Sequence, residues 1–383
     1  MHNLFTNSQA TPPNHHEKIH WLRLFRTQNI GPITFYKLLD RFGSAQEALK
    51  ALPELSKKGG RKKPLEAPPI QAIEKEYEKL LKLGGDIICA NEEFYPLALS
   101  ATDDAPPVLS YLGHLNLLRP PCLSIVGARN ASLNGKKFAQ KLAKELGESG
   151  QIIASGLARG IDTAVHHGAI ETGTIAVVAG GIDVVYPREN QGLYEEIKAK
   201  GLILAESPLG MEPIARHFPK RNRIVSGLSA GTIVIEATVR SGSLITARLA
   251  GEQGRDVYAV PGYPGDPRAQ GPNKLIQDGA VLVQKASDIL DKLVDFSGDS
   301  YISDSANSTL EVAPANDDID DQTTDEIKNS VLQNMSQYPV DIDELSRACH
   351  VSIPNLQYAL LELELGGRLQ RLAGNRVVLL DEV

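Results

Sequence analysis

Short runs of Val, Ile, Leu and Ala recur through the middle of the chain, and helix-like stretches separate most of them. CLSIVGA, QIIASG, TIAVVAG, GLILAES, TIVIEA, DVYAVPG and AVLVQ follow one another between Cys122 and Gln284. Runs without polar alternation are what parallel strands covered on both faces look like. Strands that alternate with helices predict an α/β fold, a Rossmann-like, doubly wound and mostly parallel sheet over residues 121–293. Such a sheet offers ligands the carboxyl ends of its strands, where helix N-termini point outward.

The rest of the 383 residues exceeds one core and divides by pattern. Residues 1–16 read as a disordered start. Over 17–85, WLRLF, NIGP and ITFYKLLDRFGSAQEALKAL predict short helices joined by a Gly-Pro turn, a SAM-like or helix-hairpin-helix module. Such modules either grip DNA backbone or serve as packing units, and both readings stand. Residues 86–120 look irregular and extended, a connector. Residues 294–323 are polar, acidic and poor in aromatics, the signature of a disordered linker. Over 324–383, EIKNSVLQNMSQ, DIDELSRACH and IPNLQYALLELELGG read as three helices, and RLQRLAGNRVVLL as a β-wing. The third helix of this winged helix carries Glu362 and Glu364 and no cation. A helix in a groove lined by phosphates needs cations. Weak DNA contact through Arg368, Arg371 and Arg376 in the wing, or protein binding, is expected instead.

Net charge is −7, which at first disfavours a nucleic-acid partner. Residues 286–326, however, hold twelve acids against one base, a local −11, so the remainder is +4. A local basic groove is compatible with that distribution. No apolar run approaches the ~18 residues that span a bilayer, so no membrane association is expected. MHNLFTNSQATPPNHHEK lacks the basic and apolar regions of a signal peptide. Cys89, Cys122 and Cys349 stand far apart, without zinc spacing, and read as reduced thiols of a cytoplasmic protein.

The loops at the predicted strand ends carry the chemistry. In the first, Gly127 is followed by Ala128-Arg129; in the second, Gly156 and Gly160 bracket Arg159. Neither matches GxGxxG, which disfavours a nicotinamide dinucleotide, and no cofactor is expected. Each loop offers N–H groups and one arginine, suited to phosphates spread over a longer ligand. RHFPKRNR packs Arg216, Lys220, Arg221 and Arg223 around Phe218 and Asn222. Cations interleaved with an aromatic suit single-stranded nucleic acid: the charges follow the backbone and the ring stacks a base, worth ~1–3 kcal/mol. The bland alternative is a solvated charge run opening a helix. Ser241, Gly242 and Ser243 of RSGSLITA would cap a helix and add donors to the same groove. His166 and His167 lie about 100° apart around a helix and do not suit one metal. Asp162, Asp183 and Glu236 read as caps or loop braces. With neither a GxSxG elbow nor a P-loop, no catalytic constellation stands out.

In order, VGARNAS, IASGLARGIDTAVHHGA, FPKRNRIVSGLS, IEATVRSGSLITA and VPG closely resemble the bacterial DNA-processing protein A family, DprA or Smf. The resemblance covers roughly residues 107–290, and the flanking modules match the family's three-part layout. It implies a non-catalytic protein of natural transformation. Such a protein binds single-stranded DNA (duplex more weakly), protects it and helps load the recombinase RecA. It also implies a homodimer, and carries DNA-binding positions over to Arg129 and to Lys220, Arg221, Asn222 and Arg223, with Arg159 beside them. The first motif is GAR where the family often has GSR. NKLIQDGAVLV, Asn273 to Val283, is the candidate dimer segment. Two alternatives remain open: a nucleotide-sensing adaptor, and a phosphoribohydrolase of the lysine-decarboxylase-like type. GTIVIEA partly echoes the PGGxGTxxE loop of the latter.

Overall fold

A computed structural model describes residues 15–293, 321–335, 337–372 and 374–380. The expected disordered start falls almost entirely outside the described residues, as does nearly all of the acidic linker. The described residues divide into two compact units: one spans 74–307, and the other joins 14–73 to 308–383.

The second unit begins with α1 (His15–Phe25), α2 (Pro32–Phe42) and α3 (Ala45–Lys58). Pro32 sits at the start of α2, where its missing N–H costs nothing. Gly43 closes that helix at φ 72°, a left-handed conformation open to glycine. Ser44 then opens α3 by accepting the Glu47 N–H. Trp21, Phe35, Leu38 and Leu52 fill the space between the helices. The chain leaves through α4 (Ile70–Lys82).

The first unit is the doubly wound sheet. Its strands are β1 (Gly85–Cys89), β2 (Val108–Gly113), β3 (Cys122–Gly127), β4 (Ile152–Ser155) and β5 (Thr174–Gly181). They continue with β6 (Leu202–Ser207), β7 (Gly231–Ile235), β8 (Asp256–Ala259) and β9 (Val281–Leu282). The spatial order is β1-β2-β6-β5-β4-β3-β7-β8-β9. The seven strands from β6 to β9 run parallel. Between β1 and β2 lies α5 (Leu97–Ser100); the crossovers carry α6 (Leu133–Glu148), α7 (Ile161–Ala169), α8 (Gln191–Lys200), α9 (His217–Gly227), α10 (Gly242–Glu252) and α11 (Gln270–Gln277), and α12 (Ser287–Leu290) closes the unit. Leu123, Ile125, Ile153 and Ile233 of the sheet meet Leu142, Leu146 and Val165 of α6 and α7 in a closed core.

Each apolar run from CLSIVGA onward is a strand. The stretch expected as an irregular connector differs: it supplies β1 and β2, which pair antiparallel with each other and, through β2, with β6. Their residues gain order from that edge pairing, which no local pattern announces.

The second unit resumes with α13 (Asp321–Asn334), β10 (Val340–Asp341), α14 (Ile342–Cys349), α15 (Ile353–Leu365), β11 (Leu369–Leu372) and β12 (Arg376–Leu379). Three helices and a small β10-β12-β11 sheet form a winged helix, with Val331, Leu345, Leu356 and Leu360 in its core.

Candidate nucleic-acid interface

Order reverses in the sheet between β3 and β7, the place where dinucleotides usually bind. Here a carboxylate already occupies it. Glu236, at φ 51° just beyond β7, accepts the N–H of Ser132 at 2.7 Å and its hydroxyl at 2.5 Å. It packs so closely on the start of α6 that a Cβ on Gly135 would lie 2.6 Å from its carboxyl carbon. Ser132 in turn accepts the Gly135 N–H. The start of α6, where such sheets hold a pyrophosphate, is thus braced by one of the chain's own carboxylates. The acid of the GTIVIEA echo is Glu236 itself, engaged in this brace.

The open space lies to one side, above β3, β4 and β5. A cleft of about 460 Å³ is lined by Arg129 and Asn130 after β3, by Gly156, Ala158 and Arg159 after β4, and by Tyr186 and Pro187 after β5. Phe218 and Arg221 of α9 complete it. A shift of register in the β5–β6 pairing between Val178 and Gly181 borders the cleft.

Arg221 is its centre. The side chain is buried, and its guanidinium lies directly on Gly156, where a Cβ would fall 1.5 Å from it. Asp162 is the carboxylate that attracts it, but that carboxylate accepts hydrogen bonds from Gly156 and Ala158 N–H at 3.1 and 3.3 Å. Nε of Arg221 is left buried without a partner. Burial pulls the Arg221 pKa down to about 10, against the pull of Asp162 and with Arg129 adding repulsion. Burial also raises the Asp162 pKa, with Arg221 opposing. A buried cation whose neighbours leave a donor orphaned creates demand for an anion.

Around it stand a cation and two rings. The Arg129 guanidinium lies 4.9 Å from the Phe218 ring centre, and Tyr186 lies 5.8 Å from the same ring, tilted by 56°. Arg159 is exposed and pairs with Glu189 at 2.7 Å.

The other expected residues fall elsewhere. Arg216, at the N-cap of α9, and Lys220, on the helix, are exposed and outside the cleft lining. Arg223, two positions beyond Arg221, turns inward: it donates to Glu206 and to the Asp104 carbonyl, and Asp104 carboxylate lies 3.5 Å away. Asn222 donates to the Gly242 carbonyl, tying α9 to the first residue of α10. Ser241 caps α10 by accepting from the Ser243 N–H, and Ser241, Gly242 and Ser243 all lie off the cleft. Gly127 and Gly160 are spacers: a Cβ would meet Ile235 oxygen at 1.9 Å and Ala128 oxygen at 2.3 Å. The expectation that the SGLARGID loop presents free N–H groups needs correcting, because Asp162 takes two of them. Tyr186 and Asn130 went unnoticed in the sequence; the aromatic in VVYPREN was the available signal for the former. Among the described residues no His, Cys, Asp and Glu group is arranged to hold a metal, and no helix is long and apolar enough to cross a membrane.

A Rossmann-type sheet with an arginine-lined cleft, joined in one chain to an N-terminal helical module and a C-terminal winged helix, defines the architectural class. This chain belongs to the DprA/Smf family. Residues 86–294 match the family described as DNA recombination-mediator protein A. Residues 15–78 match the DprA-like N-terminal HHH domain, and 314–375 the DprA winged helix domain. Protein Smf of Escherichia coli is 36% identical over 312 residues, 81% of each chain. DNA processing protein DprA of Streptococcus pneumoniae is 47% identical over 201 residues, 52% of this chain and 71% of that one. A crystal structure of the pneumococcal protein superposes with a TM-score of 0.63 at 36% identity, covering 73% of this chain and 98% of the other. The Helicobacter pylori DNA processing protein A, whose structure describes a single-stranded DNA binding mode, gives 0.51 at 30% identity over 55% and 95%.

Proposed function

We propose that this protein binds single-stranded DNA in the cleft over β3–β5, protects the strand and passes it to the RecA recombinase during natural transformation in the cytoplasm, without catalysis. The observation that carries the reading is the buried Arg221 with its orphaned Nε, set beside Arg129 and the Phe218–Tyr186 ring pair. A phosphate answers the first and a base face the second, so the site suits a strand whose bases are unpaired. Kinship with the H. pylori protein supports the strand, and the mediator description of the family supports a hand-over to a recombinase. Arg216, just before α9, and Lys220, on it, are exposed and extend the basic track beyond the cleft.

A homodimer fits the same reading, since two clefts on one strand raise avidity by linkage. The candidate segment 273–283 comprises most of α11 and the two-residue edge strand β9, with Leu282 exposed. Asn273 is committed internally to Gly262, so Leu275, Ile276 and Leu282 are the apolar contacts to test.

Fluorescence anisotropy with labelled oligo-dT and a duplex of equal length, at two salt concentrations, tests the reading. Salt-sensitive binding that favours the single strand is expected. Equal or salt-independent affinities overturn it. Incubation with nucleoside monophosphates adds a second arm, in which release of free base favours the phosphoribohydrolase alternative.

A further inference from the structure

Within the unit that joins 14–73 to 308–383, the winged helix is packed on the N-terminal helices. Helix α15 meets the end of α3 backbone to backbone. A Cβ on Gly59 would fall 1.9 Å from the Glu362 carbonyl oxygen, and one on Gly366 would fall 2.0 Å from that of Gly59. Glycine on both sides is what such an approach requires, because any side chain would hold the helices apart.

Polar contacts flank this seam. Lys37 of α2 donates to Gln357 Oε1. The Arg41 guanidinium lies 3.8 Å over the Tyr358 ring and donates to its hydroxyl. Lys328 of α13 donates to the Lys58 carbonyl at 2.8 Å and to Glu362 at 2.9 Å. Lys37 is pushed down to about 7 by burial, with Arg371 adding to the shift and Glu364 opposing it. The two glutamates of α15, expected from the sequence to repel DNA, are internal: Glu362 is 1% exposed against Lys328, and Glu364 is 11% exposed against Arg371.

We propose that the C-terminal winged helix is a docking domain for this chain's own N-terminal helical module, with α15 used for that contact instead of for a DNA groove. The occupant is identified by the interdigitated glycines and by the match of Lys37, Arg41 and the α3 carboxyl end to Gln357, Tyr358 and Lys328. Chain ends more than two hundred residues apart therefore open and close together.

Hydrogen exchange on the full-length protein tests this, since amide exchange reports local opening. Gly366→Val, at the end of α15, should speed exchange in α2 and α3 roughly tenfold while β3–β7 keep wild-type rates. Arg41→Ala, on α2 and remote from the winged-helix core, should speed exchange in α15. Effects confined to 321–380 for the first variant and to 15–58 for the second overturn the proposal. Protection that rises with protein concentration also overturns it, by assigning the contact to two copies. In a gel shift with duplex DNA, Gln357→Ala should leave affinity unchanged; a loss of affinity would place α15 in the groove.

Discussion

Arg221 and Arg223 lie two positions apart on α9 and serve different ends. Arg221 faces the cleft with a buried, unpartnered Nε, whereas Arg223 is neutralised by Glu206 and Asp104 inside the protein. Arg221→Met is therefore expected to weaken oligo-dT binding by roughly 30-fold, about 2 kcal/mol, the scale of a desolvated charge contact. Its melting temperature should stay close to wild type, because the cost of burying the guanidinium outweighs its attraction to Asp162. Arg223→Ala should do the reverse. Breaking a mostly buried ion pair costs roughly 3 kcal/mol, visible in denaturant melts, while the folded fraction keeps its affinity. Exposed Arg129 gives a third outcome: alanine there should leave stability alone and flatten the log-log salt slope by about 0.7. Anisotropy titrations and urea melts on the three variants separate these roles. An Arg221 variant that binds normally would remove the cleft from the DNA path.

At the scale of elements, α7 and β5 are locked by His166. Its side chain is fully buried, Nδ1 lies 2.7 Å from the Thr174 hydroxyl, and burial pushes its pKa to about 3, with His167 and Arg221 adding to the shift. The folded state thus takes up this proton at lower pH than the unfolded chain, whose value is near 6.5. Stability from the neutral ring is complete above about pH 6.5 and is lost as pH falls from there towards 3. His166→Leu should flatten that acid limb in melting temperatures across the same window. Thr174 remains satisfied by its bond to the Ile153 carbonyl. An unchanged acid limb would show that other groups set it.

At the scale of the whole molecule, the sheet ends at β9, a two-residue edge beside α11 that exposes Leu282. Ile276→Asp with Leu282→Asp is expected to convert a dimer into a monomer by sedimentation at micromolar concentration, and to lower affinity for long oligonucleotides more than for short ones. A monomeric parent protein would end the dimer proposal. Deleting 297–383 should leave single-strand affinity within about threefold, because the cleft is built from the α/β unit alone. A loss of tenfold or more, about 1.4 kcal/mol, would assign DNA contacts to the winged helix.

Local patterns carried most of the architecture. Unbroken apolar runs marked seven parallel strands, Gly31-Pro32 and Gly43-Ser44 fall at the helical turns, and the cation–aromatic mixture of RHFPKRNR falls on α9, which lines the cleft with Phe218 and Arg221, because each is a statement about neighbours along the chain. The missing GxGxxG was legible in the first two loops, whereas the carboxylate on the start of α6, Glu236, comes from the residue after β7, a hundred residues away. Which arginine faces the cleft was decided only in three dimensions. The turn of α9 separates Arg221 from Arg223, and the inward one is chosen by Glu206 and Asp104, which the sequence scatters. Tertiary pairing also made strands of β1 and β2, and it reversed the meaning of Glu362 and Glu364. As bare charges on a helix they predicted repulsion from phosphate; packed against Lys328 and Arg371 they are internal partners, since burial sets what a charge can meet.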